Sequence, residues 1–195
     1  PKLLHYIHSR LNCFLDKYGY ALICAGKTMY KIDKITGIST GSPLLLERAF
    51  WFDTSYVYTT NESSGTCKKW STSGSLIWTY TNPDGYRYVF APCVDKDGYV
   101  YIWCEIDAAS NPQKSVIRKL DPSNGGLLAT STNIGTWMNG REQLTYDPSR
   151  HKIYIGQYGG MIKQIDPSTL AVDWVYYVPY EPGTGGSFKT LQFYN

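Results

Sequence analysis

One pattern returns four times along these 195 residues. A chain that repeats itself at a fixed spacing must fold as a repeat, whatever else it does. The first landmark is a short alternating strand behind a turn: Tyr20-Ala21-Leu22-Ile23, Tyr56-Val57-Tyr58-Thr59, Tyr99-Val100-Tyr101-Ile102 and Lys152-Ile153-Tyr154-Ile155. Turns rich in Asp, Gly or Pro precede each one, as in Asp95-Lys96-Asp97-Gly98 and Asp147-Pro148-Ser149-Arg150. Strand, polar turn and strand read as a hairpin. The second landmark is Tyr30-Lys31-Ile32-Asp33, Lys68-Lys69-Trp70-Ser71, Arg118-Lys119-Leu120-Asp121 and Lys163-Gln164-Ile165-Asp166. Another turn follows each, and a further strand closes the unit, clearest in Leu76-Ile77-Trp78-Thr79-Tyr80 and Val172-Asp173-Trp174-Val175-Tyr176.

Ile32, Trp70, Leu120 and Ile165 mark the period, at intervals of 38, 50 and 45 residues. Four strands per unit of this length is the period of a propeller blade. The long interval arises in the third unit, where about eight extra residues fall within Cys104–Lys114, by comparison with the shorter units of the same repeat. The predicted fold is all-β: a β-propeller of four-stranded antiparallel blades, about four blades plus an extra strand, small or partial. Residues 1–13 read as a linker or closing strand. Blades are expected near 14–45, 49–85, 89–133 and 142–180, with the extra strand at 187–195. Composition agrees: 18 Tyr and 18 Gly suit strands and turns, and strong helix formers are scarce.

The run Met29-Tyr30-Lys31-Ile32-Asp33, followed by Thr36-Gly37, resembles the Tyr-x-hydrophobic-Asp-x-x-Thr-Gly signature of pyrroloquinoline-quinone-like (PQQ-like) propeller repeats. Leu120-Asp121-Pro122-Ser123-Asn124-Gly125 and Ile165-Asp166-Pro167-Ser168-Thr169-Leu170 are similar to it, and Trp78 and Trp174 match the Trp that follows the turn. The resemblance covers most of residues 14–178 and implies fold more than chemistry, because the family spans enzymes, assembly factors and adaptors. Its enzymes use a ring of about eight blades, with a vicinal cysteine pair and a calcium at the cofactor. This sequence has no Cys-Cys, so the resemblance is to a non-catalytic member and no cofactor is expected.

Charge and cysteine narrow the setting. The net charge is +3, and the longest basic run is Lys68-Lys69. A nucleic-acid binder shows a clustered basic face, so no nucleic-acid partner is expected. No apolar run reaches the ~18 residues that span a bilayer. Residues Pro1–His8 are too polar for a signal peptide. Cys13, Cys24, Cys67, Cys93 and Cys104 are odd in number and have no C-x-x-C spacing. They read as small buried apolar groups, favouring assembly in a reducing compartment such as cytoplasm or virion, with a secreted form as the alternative.

No reactive constellation emerges. Asp95-Lys96-Asp97-Gly98 begins like a calcium loop, but the twelfth position from Asp95 is Ile106, where such a loop needs Glu. The repeat explains it as a hairpin turn. Asp33, Asp121 and Asp166 read as turn anchors whose carboxylates bond turn amides. His5 and His8 have no Cys or acidic ligand nearby and read as solvated. There is no Gly-x-Ser-x-Gly elbow and no G-x-G-x-x-G opening a helix, so no catalytic residue and no metal ligand is assigned.

What the repeat leaves over is aromatic loops. The six Trp read mostly as packing between blades. Trp137, with Asn139 and Arg141, sits instead in a Gly- and Asn-rich linker. Tyr177 and Tyr180 belong to a second adaptable loop, and Asp107 and Asn111 to the insertion in the third blade. These seven residues are the candidate recognition positions. The expected function is non-enzymatic: a protein-binding or structural module, within a larger assembly such as a virion or cell-surface structure. Its partners would be other proteins, or copies of itself through open blade edges. A lectin-like propeller binding glycans is the alternative, and a fragment of a quinoprotein dehydrogenase comes third.

Overall fold

The computed structural model describes residues 12–15, 21–25, 28–33, 35–39, 44–45, 50–52, 55–61, 64–84, 89–107, 114–135, 143–157 and 161–177. They form four sheets of four strands, each an antiparallel meander in chain order. The first holds β1 (Asn12–Leu15), β2 (Ala21–Ala25), β3 (Thr28–Ile32) and β4 (Leu44–Leu45). The second holds β5 (Phe50–Phe52), β6 (Tyr56–Asn61), β7 (Thr66–Ser71) and β8 (Leu76–Thr81). The third holds β9 (Val89–Val94), β10 (Val100–Asp107), β11 (Lys114–Leu120) and β12 (Leu127–Thr130). The fourth holds β13 (Gln143–Asp147), β14 (Lys152–Gln157), β15 (Met161–Ile165) and β16 (Val172–Tyr177). The first strands of the second, third and fourth sheets draw together, β9 lying against β5 on one side and β13 on the other. This is the inner ring of a propeller.

Strand alternation explains why the third blade is apolar on both faces. Val100, Ile102 and Cys104 point one way and pack with Tyr58, Cys67, Trp78 and Tyr80 of the second blade. Tyr101 and Trp103 point the other way and pack with Leu144, Ile153, Ile155 and Ile165 of the fourth. Successive side chains leave a strand on opposite faces, so a sandwiched strand must be apolar at every position. Trp103 and Tyr101 are wholly buried, and each such side chain contributes about 1.5–3 kcal/mol. Opposite Tyr101 and Trp103, β9 carries one extra residue, because Cys93 and Phe90 are their partners. Pro92 falls in that bulge, where the missing N–H breaks no ladder bond.

The outer hairpin turn is built alike in three blades. The backbone amides of Asp33, Asp121 and Asp166 each close the turn by donating to the carbonyl five residues on, that of Ile38, Gly126 and Ala171, at 3.0, 2.8 and 3.0 Å. Each carboxylate accepts the amide two residues ahead, from Ile35, Ser123 and Ser168. The fifth residue has positive φ: Gly37 at 69°, Gly125 at 74° and Leu170 at 60°. Glycine suits the first two. Leu170 carries a cost of about 1–2 kcal/mol there, offset by burial of its side chain, which is 1% exposed. The turns expected at these aspartates are present, and Asp95 anchors a turn in the same way, accepting from Asp97 and Tyr99 amides at 2.9 and 3.0 Å. A second shared device is a bulge between third and fourth strands, at Lys69/Trp70, Lys119/Leu120 and Gln164/Ile165.

Candidate functional site

The side faces of the second and third blades each carry a small polar and aromatic set that meets the turn of the next blade. In the second blade the set is Tyr56, Tyr58, Lys69 and Trp78. The Lys69 ammonium lies 3.8 Å from the Tyr56 ring centroid and 5.6 Å from that of Tyr58. It donates to the Pro122 carbonyl of the third blade at 2.8 Å, and Trp78 Nε1 donates to the same oxygen at 3.2 Å. In the third blade Lys119 stands 4.0 Å from the Tyr99 ring and 5.5 Å from Tyr101. Lys119 Nζ and the Tyr101 hydroxyl both donate to the Pro167 carbonyl of the fourth blade, at 3.4 and 3.2 Å. The register makes these sets equivalent, since Tyr58 pairs with Lys69 and Tyr101 with Lys119.

The apolar half of the contact exchanges size between the two junctions. Trp78 presses on Gly125, where a Cβ would fall 2.7 Å from the indole. At the next junction the partner of Lys119 is Ala129 in place of a Trp, and the turn carries Leu170 in place of Gly. Large on small and small on large fill the same space, as close packing demands. Leu170 and Ala129 belong to one packed cluster.

The fourth blade repeats the set with its polar members rearranged. Tyr154 pairs with Gln164, and Gln164 with Trp174. Gln164 Nε2 donates to the Tyr154 hydroxyl at 2.7 Å. The Tyr154 and Trp174 rings meet at 6.0 Å, against 6.2 Å for Tyr58 and Trp78. The cation has moved to Lys152, at the place of Tyr56 and Tyr99, and is held by Asp166 and Asp173 at 2.7 and 2.9 Å. Trp78 is 6% exposed and Trp174 42%. The sequence reading placed Trp174 with the packed tryptophans. The structure leaves it partly exposed, whereas Trp78 is covered by the Pro122–Gly125 turn of the third blade. All six residues of β16 are exposed.

Among the seven sequence candidates, Tyr177 lies at the end of β16, 65% exposed. It pairs with Met161, so it sits on the opposite face of the sheet from Trp174. Asp107 ends β10 opposite Lys114, beyond a register shift. Trp137, Asn139, Arg141, Tyr180 and Asn111 lie outside the described residues, as do residues 1–11 and the expected strand at 187–195. The two described candidates thus lie on different blades, Asp107 on the third and Tyr177 on the fourth. The residues sequence reasoning missed are Tyr154, Gln164 and Trp174. Their signal was the position shared with Tyr58, Lys69 and Trp78 in the repeat.

Reactive groups are scarce among the described residues. No three His, Cys, Asp or Glu side chains lie close enough to hold a metal. Cys93 and Cys104 are free thiols, and both, like Cys67, are fully buried. Burial pushes the Cys104 thiol up to about 12 and that of Cys93 higher still. His151 is exposed, with its ring nitrogen 2.7 Å from the Tyr146 hydroxyl. Arg118 is buried and donates to the Tyr80 hydroxyl at 2.6 Å, with Asn82 and Asp84 as further partners. Burial is the main force raising Tyr80 to about 12. This network ties the second blade to the third.

No family model and no curated protein matches the chain. Solved structures do match. One is the WD40 β-propeller domain of Doa1, at 16% identity and a TM-score of 0.61, over 86% of this chain and 55% of that one. Another is a protein of unknown function from Bacteroides caccae, at 13% identity and a TM-score of 0.56, over 81% of this chain and 57% of that one. The chain thus spans a little over half of each. At these identities the likeness is one of fold, and with four antiparallel meander sheets it makes this chain a partial β-propeller.

Proposed function

We propose that this chain is a non-enzymatic propeller module that binds proteins and serves as a structural part of a larger assembly, such as a virion or cell-surface structure. One observation carries the reading: the fourth blade offers an exposed outer strand with Trp174, Tyr176 and Tyr177 at 42, 51 and 65% exposure. Aromatic residues concentrate at protein interfaces because they bury much area at little entropic cost. The buried thiols support a binding role over nucleophilic chemistry. The resemblance to PQQ-like repeats is consistent with a non-catalytic member of that family.

The immobilised chain tests this against an extract of its native source. A specific protein should be retained by the native chain and released by the Tyr176→Ala/Tyr177→Ala variant. A glycan-array hit abolished by Trp137→Ala would replace the reading with a lectin-like one. Tight binding of pyrroloquinoline quinone with calcium would replace it with a quinoprotein one.

A further inference from the structure

We infer that Asn124 is a self-modifying residue, converted to aspartate or isoaspartate by attack of the Gly125 backbone nitrogen, and that the junction between the second and third blades holds the reaction back until the two blades part. This site is separate from the binding surface proposed above and does not rest on that reading.

A carboxamide is attacked most readily by the next backbone nitrogen when that nitrogen belongs to glycine, which has no side chain to shield it. The chain has two such pairs, Asn124-Gly125 and Asn139-Gly140, and the second lies outside the described residues. Asn124 is exposed in the outer turn of the third blade. Its Oδ1 accepts the Gly126 N–H at 2.7 Å, which folds the side chain back over the backbone that follows it. A Cβ on Gly126 would fall 2.9 Å from that oxygen and 3.7 Å from Cγ, so the absence of a side chain there lets the carboxamide lie against the chain. The same hydrogen bond draws electrons from the carbonyl to be attacked.

The attacking nitrogen is what the fold withholds. Gly125 is buried, while Asn124 and Gly126 on either side of it are exposed. The Gly125 N–H donates to the Asp121 carbonyl at 2.9 Å. Gly125 has φ 74°, and its Cβ position lies 2.7 Å from the Trp78 indole. The second blade fixes the rest of the turn, since Pro122 O accepts from Lys69 Nζ at 2.8 Å and from Trp78 Nε1 at 3.2 Å. Ring closure takes the nitrogen out of its bond to Asp121 and swings Gly125 from beneath the indole. The turn cannot make that movement while Trp78 rests on it.

The chemistry needs only water. Hydroxide takes the Gly125 amide proton, and the nitrogen forms a bond to Asn124 Cγ. The bond from Cγ to the carboxamide nitrogen breaks, and that nitrogen takes a proton from water and leaves as ammonia, restoring the hydroxide. Water then opens the cyclic imide at one of its two carbonyls. Opening at the side-chain carbonyl gives aspartate. Opening at the main-chain carbonyl gives isoaspartate, which lengthens the backbone by a methylene and adds a carboxylate to the turn that Asp121 anchors. A lengthened turn no longer sets Gly125 against Trp78, so conversion is a lasting mark of a junction that has opened.

The full chain, held in mildly alkaline buffer at body temperature and sampled over days, tests this by peptide mapping. Fragmentation of the tryptic peptide Leu120–Arg141 places the change, NH exchanged for O, at Asn124 or at Asn139. Unfolded in guanidinium, the chain should convert Asn124 during the incubation. The native chain should convert it at least ~tenfold more slowly, as a reaction confined to a locally opened state does. Trp78→Ala, its folding checked by circular dichroism, should recover most of that factor. Should Trp78→Ala fail to fold, Trp78→Phe carries the test, with conversion at least ~twofold faster than in the native chain. Asn124→Gln is the control and should show no change at this position. A native chain that converts as fast as the unfolded one overturns the inference. So does a folded Trp78 variant as slow as the native chain, or an unfolded chain that keeps Asn124 intact.

Discussion

Trp78 and Gly125 show how much one contact between blades carries. The indole fills the space a glycine leaves, and its N–H is spent on the Pro122 carbonyl. Trp78→Ala opens a cavity in a well-packed junction and should cost about 3–5 kcal/mol. Gly125→Ala forces a Cβ into the ring at a φ of 74° and should cost about 1–3 kcal/mol. The double variant should lose less than the sum, by at least ~0.5 kcal/mol, because Trp78→Ala makes room for the methyl. Urea unfolding of the three variants measures this, and strict additivity would show that the two residues do not share a site. The cation–π contacts of Lys69 contribute less, about 0.5–2 kcal/mol, so packing sets the strength of the junction. The polar contact sets which turn fits.

Strands sandwiched between blades have a chemistry set by burial. Cys67 on β7, Cys93 on β9 and Cys104 on β10 have no exposed surface. Burial raises the thiol pKa values of Cys93 and Cys104, to about 12 for Cys104, and keeps these two protonated at neutral pH. A thiol reagent added to the native protein at pH 8 should leave all three unmodified for hours, and urea should expose them together. Rapid native labelling of Cys104 would show that the second and third blades part readily. The fourth strands carry the opposite expectation. Burial falls from two residues in β8, Trp78 and Tyr80, to none in β16. Tyr177→Ala should therefore shift unfolding by less than ~0.5 kcal/mol, within the range of surface substitutions. A larger loss in a calorimetric scan would mean that β16 packs against something more.

Acid stability belongs to the whole molecule, because the same carboxylate anchors turns in successive blades. Asp121, Asp147 and Asp166 are all held below the ordinary 3.8. Hydrogen bonds from Ser123 and Ser149 come first for the first two, and the Lys152 ammonium for Asp166. A depressed carboxyl adds stability above its unfolded value, and that contribution is lost as pH falls through the folded values. The thermal midpoint should therefore be flat above about pH 5 and fall steeply below pH 4. Asp166→Asn should flatten part of that fall. An unchanged profile would place the acid sensitivity elsewhere.

The blade period, the hairpins and the turn anchors could all be read from the chain, because their causes are local. Alternation decides which side chains share a face, and Asp with Gly decides where the chain turns. The size exchange between Trp78 with Gly125 and Ala129 with Leu170 could not be read so, since its members lie 47 and 41 residues apart and meet only across a junction. The candidates Trp137, Asn139 and Arg141 came from loop composition, which carries no information about neighbours. By itself, then, the sequence determined a repeating all-β blade and the residues each blade presents at its side. Only the tertiary structure decided that Trp78 is covered and Trp174 is not. The two tryptophans occupy the same place in the same motif, and burial is a property of what packs against a residue, which no local pattern encodes.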